Sequence, residues 1–256
     1  MNINNYVNDP EFKSFILRKA RYCSGGNIKL GHEMLTWSKL MGNEDYTFSV
    51  MDGKECTCSG SCPFHCPGCY VEKSYYCHGD GSKHVINGHA WRTIAVRYYL
   101  DDLKKELDGQ LTRKRKKAPS VRLDQSGEIE TLEELIMHKD IAINHPETVF
   151  FVYTKSYDIV VPYILQHAND WPENFIVLIS IWHELGINEY KALAHLPFIK
   201  AFVVNDGYDY SIHGIFPTTT CKAYNGRKLN HAVTCFVCKK CFDNKPEHKI
   251  IFCDKH

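Results

Sequence analysis

The residues best suited to chemistry are cysteines, and they fall in two groups. Of twelve, six lie between Cys56 and Cys77 and five between Cys221 and Cys253, with Cys23 standing alone. The first group contains Cys62-x3-Cys66-x2-Cys69-Tyr70, set among Pro63, Pro67 and Gly68. The prolines and glycine keep this loop from becoming a helix or strand, and spacings of three and two residues let the thiols converge on one centre. Three thiolates hold an iron–sulfur cube with one iron left open, and such an iron can bind a small molecule through an amine and a carboxylate. A fourth ligand, Cys58, would close the site and make it structural or electron-transferring. Zinc is the alternative. It also takes four thiolates in closely spaced pairs, and Cys58, Cys62, Cys66 and Cys69 meet that requirement.

The second group reads Cys221-x13-Cys235-x2-Cys238-x2-Cys241, a four-ligand set. Two adjacent x2 spacings crowd three thiolates into a tight loop, the pattern of a second, auxiliary [4Fe–4S] cluster. Zinc is again the rival, because a C-x2-C pair is its usual hairpin. Cys253 and His256 are spare candidate ligands, and the site can serve simply to fasten the C-terminal segment.

Bulk properties narrow the setting. The hydrophobic fraction is 44% and the formal net charge +1, so the chain reads as globular, with no strong field favouring nucleic acid or an anionic membrane. No apolar run approaches the roughly 18 residues of a membrane span. The first fifteen residues, MNINNYVNDPEFKSF, lack the basic-then-apolar plan of a signal peptide. A cytoplasmic protein is expected. The cytosol keeps thiols reduced, so clustered cysteines there read as metal sites rather than disulfides. The basic run Thr112–Lys117 is read as a solvated connector, with contact to a nucleic-acid backbone as the alternative.

The elements that must position these groups alternate. A short first strand is expected at Phe48–Met51. A helix capped by Asn87 follows, through Val96, Leu100, Leu103 and Leu107, ending near Asp108-Gly109. Strands are expected at Ser120–Asp124, Thr148–Thr154, Phe175–Ser180 and Phe198–Val204, with a last short one at Ile212–Phe216. Between them, helices open at the capping box Thr131–Glu134 and cover Asp158–His167 and Asn188–Ala194. Apolar strands separated by helices predict a parallel α/β sheet, either doubly wound or a partial barrel. The expected division is an N-terminal extension over 1–45, the α/β domain over 46–216 with its cluster loop at 56–77, and a C-terminal cysteine-rich extension over 217–256.

Polar groups gather where each strand ends, which is where parallel α/β folds build their sites. After the second strand comes Ser126-Gly127-Glu128. Glycine lets a ligand approach the backbone, and the carboxylate can accept from an amine; the plain alternative is a solvated strand-to-helix turn. Lys155, after the third strand, can meet a carboxylate or phosphate. Ser180 and His183 can contact ribose or substrate.

The triplet Cys62, Cys66 and Cys69 after a first strand resembles the cluster motif of the radical S-adenosylmethionine (SAM) superfamily. Gly68 departs from that pattern, which has an aromatic residue before the third cysteine; here Tyr70 follows it. The resemblance implies a partial (β/α)6, TIM-like barrel and a [4Fe–4S] cluster whose open iron chelates SAM and cleaves it reductively. It also implies an external electron donor, and a turn at Ser126, Gly127 and Glu128 that holds the SAM amino group. A narrower resemblance covers most of the chain. The segments GNIKLG (26–31), CPGCYVEK (66–73), VRLDQSGE (121–128), FVYTKS (151–156) and the closing cysteines are similar to an uncharacterised family encoded by phages and mobile elements. That resemblance supplies no substrate.

Overall fold

Runs of Val, Ile and Phe form the middle of a sheet in the computed structural model, which describes residues 3–24, 34–39, 79–114, 118–124, 127–205, 207–221 and 233–254. The central strands are β3 (Ser120–Leu123), β4 (Val149–Thr154), β5 (Phe175–Ile181) and β6 (Ile199–Asn205). Two short strands precede them, β1 (Cys23–Ser24) and β2 (Leu35–Thr36). Two follow, β7 (Thr219–Thr220) and β8 (Ile250–Asp254). The order is β1-β2-β3-β4-β5-β6-β8-β7, and every neighbouring pair is parallel except β1 with β2. The expected parallel α/β sheet is present. From β1 to β6 the strands lie in chain order, without the reversal that defines a doubly wound sheet. The expected first strand at Phe48–Met51 lies outside the described residues.

This sheet has two unlike faces. Register partners point the same way, as do residues two apart on one strand. One face presents Val121, Leu123, Phe150, Val152, Val177, Ile179, Ala201 and Val203, all fully buried and apolar. The other carries Arg122, Phe151, Tyr153, Leu178, Ser180, Lys200 and Phe202, a mixed set with two cations. A uniformly apolar face needs helices over it. Those that follow the strands are α4 (Leu132–Asn144), α5 (Tyr157–His167) and α6 (Ile187–Leu193). Thr131 caps α4 as expected, its side chain accepting from the Glu134 N–H at 3.2 Å.

Asn174 ties these elements together. Its side-chain Nδ2 donates to the carbonyls of Ala142, His145 and Thr148 at 2.8–2.9 Å. The end of α4 and the starts of β4 and β5 therefore share one amide. Asn174→Ala should lower stability by about 2 kcal/mol, because it leaves carbonyls without their donor. Asn174→Asp, which cannot donate, should do no better. Urea unfolding of both variants checks this.

A second unit comprises residues 1–22, 37–114 and 124–128. Its frame is α1 (Pro10–Lys19), α2 (Gly79–Tyr98) and α3 (Leu100–Arg113). Asp9 caps α1 and Pro10 occupies its first turn. Leu103, Leu107 and Leu111 recur every fourth residue and are buried. The long helix expected from Asn87 to Asp108 is thus two helices, broken at Tyr99, and Asn87 lies inside the first rather than capping it. The second runs past Gly109 because Leu111 is buried and the Gln110 side chain bonds both backbone groups of Tyr22, at 3.0 and 2.9 Å. Tertiary contacts here outweigh the glycine. Among the described residues no helix is long and apolar enough to cross a membrane.

The expected strand at Ile212–Phe216 is instead a 3-10 turn, Tyr210–His213, capped by Asp209 and closed by Gly214 at φ +70°. Ile212 and Phe216 are exposed, so no partner strand covers them. The last strand is β8, which pairs with β6.

Candidate metal centre

Cys221, Cys235, Cys238 and Cys241 line one small pocket, together with Lys239, Lys240, Phe242 and Ile251. Each arrives by a different local device. Cys221 directly follows β7, and its N–H donates to the Phe252 carbonyl at 2.7 Å. Cys235 and Cys238 sit at the two ends of a single helical turn, whose Thr234 cap accepts from the Val237 N–H. Lys239, at φ +59°, then reverses the chain and brings Cys241 round. Sequence spacing predicted this four-cysteine set, and the structure gathers all four. Among the described residues no three His, Cys, Asp or Glu side chains stand close enough to share one metal ion. The thiols therefore share a pocket wall without meeting at a single point.

The cysteine segment rests on the mixed face of the sheet. Phe242 stacks on Phe151 with ring centroids 5.0 Å apart. Lys200, on β6 and almost wholly buried, donates to the Lys240 carbonyl at 2.7 Å and to Asp243 at 3.1 Å, either side of Cys241 in sequence. His248 Nδ1 contacts the same Asp243 carboxylate at 2.6 Å. The Lys240 ammonium hydrogen-bonds Thr219 on β7. Tyr153, on β4, hydrogen-bonds the Cys241 sulfur. Its ring packs edge-on to Phe202 at 4.8 Å and lies under the Arg122 guanidinium at 4.6 Å.

Electrostatics follow from burial. Loss of water pushes the Cys241 thiol up to about 12; the neighbouring thiols add to this and the Tyr153 hydrogen bond opposes it. Burial also holds the Tyr153 phenol well above its ordinary range and the Lys200 ammonium below its own. Four thiols so placed are poor thiolates by themselves. A cation among them reverses this, since a coordinated thiol gives up its proton. The donor set thus fits a thiophilic metal centre.

The other expected site residues are more scattered. Cys62, Cys66, Cys69 and Ser126 lie outside the described residues. Gly127 and Glu128 belong to the helical unit. Gly127 has φ +96°, and a Cβ there would stand 3.1 Å from the Lys39 carbonyl. The Glu128 carbonyl accepts from Lys39 Nζ at 2.7 Å, with Asp124 Oδ1 at 4.0 Å from the same ammonium. Lys155 directly follows β4 and is half-buried. Ser180 lies on the mixed face of β5, and its carbonyl accepts from the Tyr157 hydroxyl.

Two functional lysines escaped the sequence reading. Lys200 left a usable signal, a lone lysine inside the apolar run Phe198–Val204. Lys39, in Trp37-Ser38-Lys39, left none.

A model of the protein family described as gene product 88 matches residues 17–244. The match agrees with the resemblance to an uncharacterised phage-encoded family and carries no reaction with it. No curated protein and no solved structure matches the chain.

Proposed function

The chain belongs to the gene product 88 family, and we propose that it is an iron–sulfur enzyme of the radical SAM type. The observation that carries the reading is the gathering of Cys221, Cys235, Cys238 and Cys241 round one pocket. Soft thiolates select iron–sulfur clusters or zinc among biological metals. A cluster spreads its thiolates over separate irons, which suits four thiols that line a pocket without converging on one ion. This centre is the auxiliary one.

Strand order supports the rest. Strands in chain order with right-handed crossovers put their helices on one side of the sheet, as in a (β/α) barrel. The opposite face then becomes an interior, and the mixed face with Arg122, Tyr153, Ser180 and Lys200 has the character such an interior needs. In a partial (β/α)6 barrel, Cys62, Cys66 and Cys69 hold the catalytic cluster. Ser126, Gly127 and Glu128 meet the amino group of SAM, while Lys155 and Ser180 meet its carboxylate and ribose. The cluster, when bound, supplies the electron that cleaves SAM, drawn from an external donor. Such thiolate centres persist in a reducing cytoplasm.

The single helical turn that carries Cys235 and Cys238 also favours a second reading, zinc that fastens the C-terminal segment. Anaerobic purification separates the two. The iron–sulfur reading expects a brown protein with iron and sulfide that forms 5′-deoxyadenosine from SAM and dithionite. A colourless, zinc-loaded protein that leaves SAM intact overturns it.

A further inference from the structure

We propose that Tyr153, held from behind by Arg122, is a positioning residue that sets the reduction potential of the C-terminal centre through its hydrogen bond to Cys241. The inference rests on the iron–sulfur reading of that centre and adds to it a residue outside the ligand set.

The geometry gives Tyr153 little freedom. Its backbone is the fifth residue of β4, a central strand paired on both sides, in register with Leu178 on β5. Its ring meets Phe202 edge-on at 4.8 Å and Phe151 at 6.1 Å. The Arg122 guanidinium sits 4.6 Å from its centroid, a cation over the ring face. What remains for the hydroxyl is the Cys241 sulfur. A phenol this enclosed needs a polar partner, and a metal-bound thiolate is a strong acceptor.

The consequence is directional. A hydrogen bond to a ligating sulfur draws electron density from the centre and favours its reduced, more negative state. Lys200 acts in the same sense from the next strands, binding the backbone carbonyl of Lys240 and the Asp243 carboxylate. Two cations and one hydroxyl thus face a cysteine whose own surroundings are otherwise apolar, among them Phe242 and Ile251. A purely structural zinc site gains nothing redox-related from this arrangement.

Tyr153→Phe removes only the hydroxyl and keeps the ring that Arg122, Phe151 and Phe202 pack against. The test uses the full chain carrying Cys62→Ala, Cys66→Ala and Cys69→Ala, so that the signal comes from the C-terminal centre alone. Iron per chain is measured first, then the reduction potential by dye-mediated titration. Tyr153→Phe should keep its iron, and at fixed ambient potential its reduced-to-oxidised ratio should fall threefold to tenfold; tenfold is about 59 mV for a one-electron couple. Tyr163→Phe, whose hydroxyl accepts from Lys139 on α4, should leave the potential unchanged. An iron-loaded Tyr153→Phe protein with the parent potential overturns the inference and leaves the iron–sulfur reading standing. A parent protein without iron in this centre overturns both.

Discussion

Cys241→Ser should strip the C-terminal centre, reducing bound metal there to less than about a tenth of the parent value, while Cys253→Ser should leave it intact. Both cysteines are shielded from solvent, so burial alone does not separate them. What separates them is position. Cys241 lines the shared pocket with Cys221, Cys235 and Cys238, whereas Cys253 lies within β8 and outside the pocket lining. Metal bound by thiolates that come together only in the fold contributes its binding free energy to folding, about 10–16 kcal/mol for structural zinc in small peptides. Losing one of four ligands forfeits a large share. The damage should also spread, because the same segment carries Phe242 against Phe151 and Asp243 against Lys200. A loss of about 3 kcal/mol would lower the melting temperature by about 10 °C in a chain of this size. Metal analysis and melting curves on the two variants side by side decide the matter. Equal metal loss in both would mean that Cys253 is a ligand and that the pocket does not define the set.

The legibility of the fold varied with burial. β4, β5 and β6 are apolar nearly throughout, and periodicity placed each within a residue or two of its observed limits. A strand covered on both faces leaves no other reading for six or seven such residues. β1, β2 and β7 are only two residues each and carry no period to read. β8 reads Ile250–Asp254 and was masked by its cysteine, which drew attention as a ligand and not as a strand residue. The break at Tyr99 and the turn at Tyr210–His213 are set by contacts distant in sequence, such as Gln110 with Tyr22 and the Tyr99 hydroxyl with Val7. The site shows the same division. Cysteine spacing is a local property and marked all four thiols correctly as a group. The residues that hold them, Lys200 and Tyr153, act across strands, and their facing could be read only once register was known. Lys39 is the extreme case, a lysine with no local signal that the fold encloses completely.

Lys39 supports the second large effect. Its side chain is fully buried, and in the helical unit it joins two segments 89 positions apart by donating to the Glu128 carbonyl. The Asp124 carboxylate, equally buried, lies 4.0 Å from the same ammonium. Burying these charges costs several kcal/mol per ion, so the arrangement holds only while both are present. Lys39→Met nearly preserves volume and removes the cation, which leaves the Asp124 carboxylate buried without it. The expected loss is about 3–5 kcal/mol. Gly127→Ala strains the same turn differently. It forces a side chain onto a backbone at φ +96° and places Cβ 3.1 Å from the Lys39 carbonyl and 3.2 Å from its Cβ. About 1–3 kcal/mol is expected there. Adding Asp124→Asn to Lys39→Met should restore part of the stability, because no lone buried charge then remains. Urea unfolding of the three variants orders these costs. A double variant as unstable as Lys39→Met alone would show that charge pairing is not what the lysine supplies. Under the radical SAM reading the same turn presents Glu128 to the ligand. Lys39→Met should therefore also weaken SAM binding, measured by calorimetry at a temperature where the variant is still folded, and more than Asn174→Ala does.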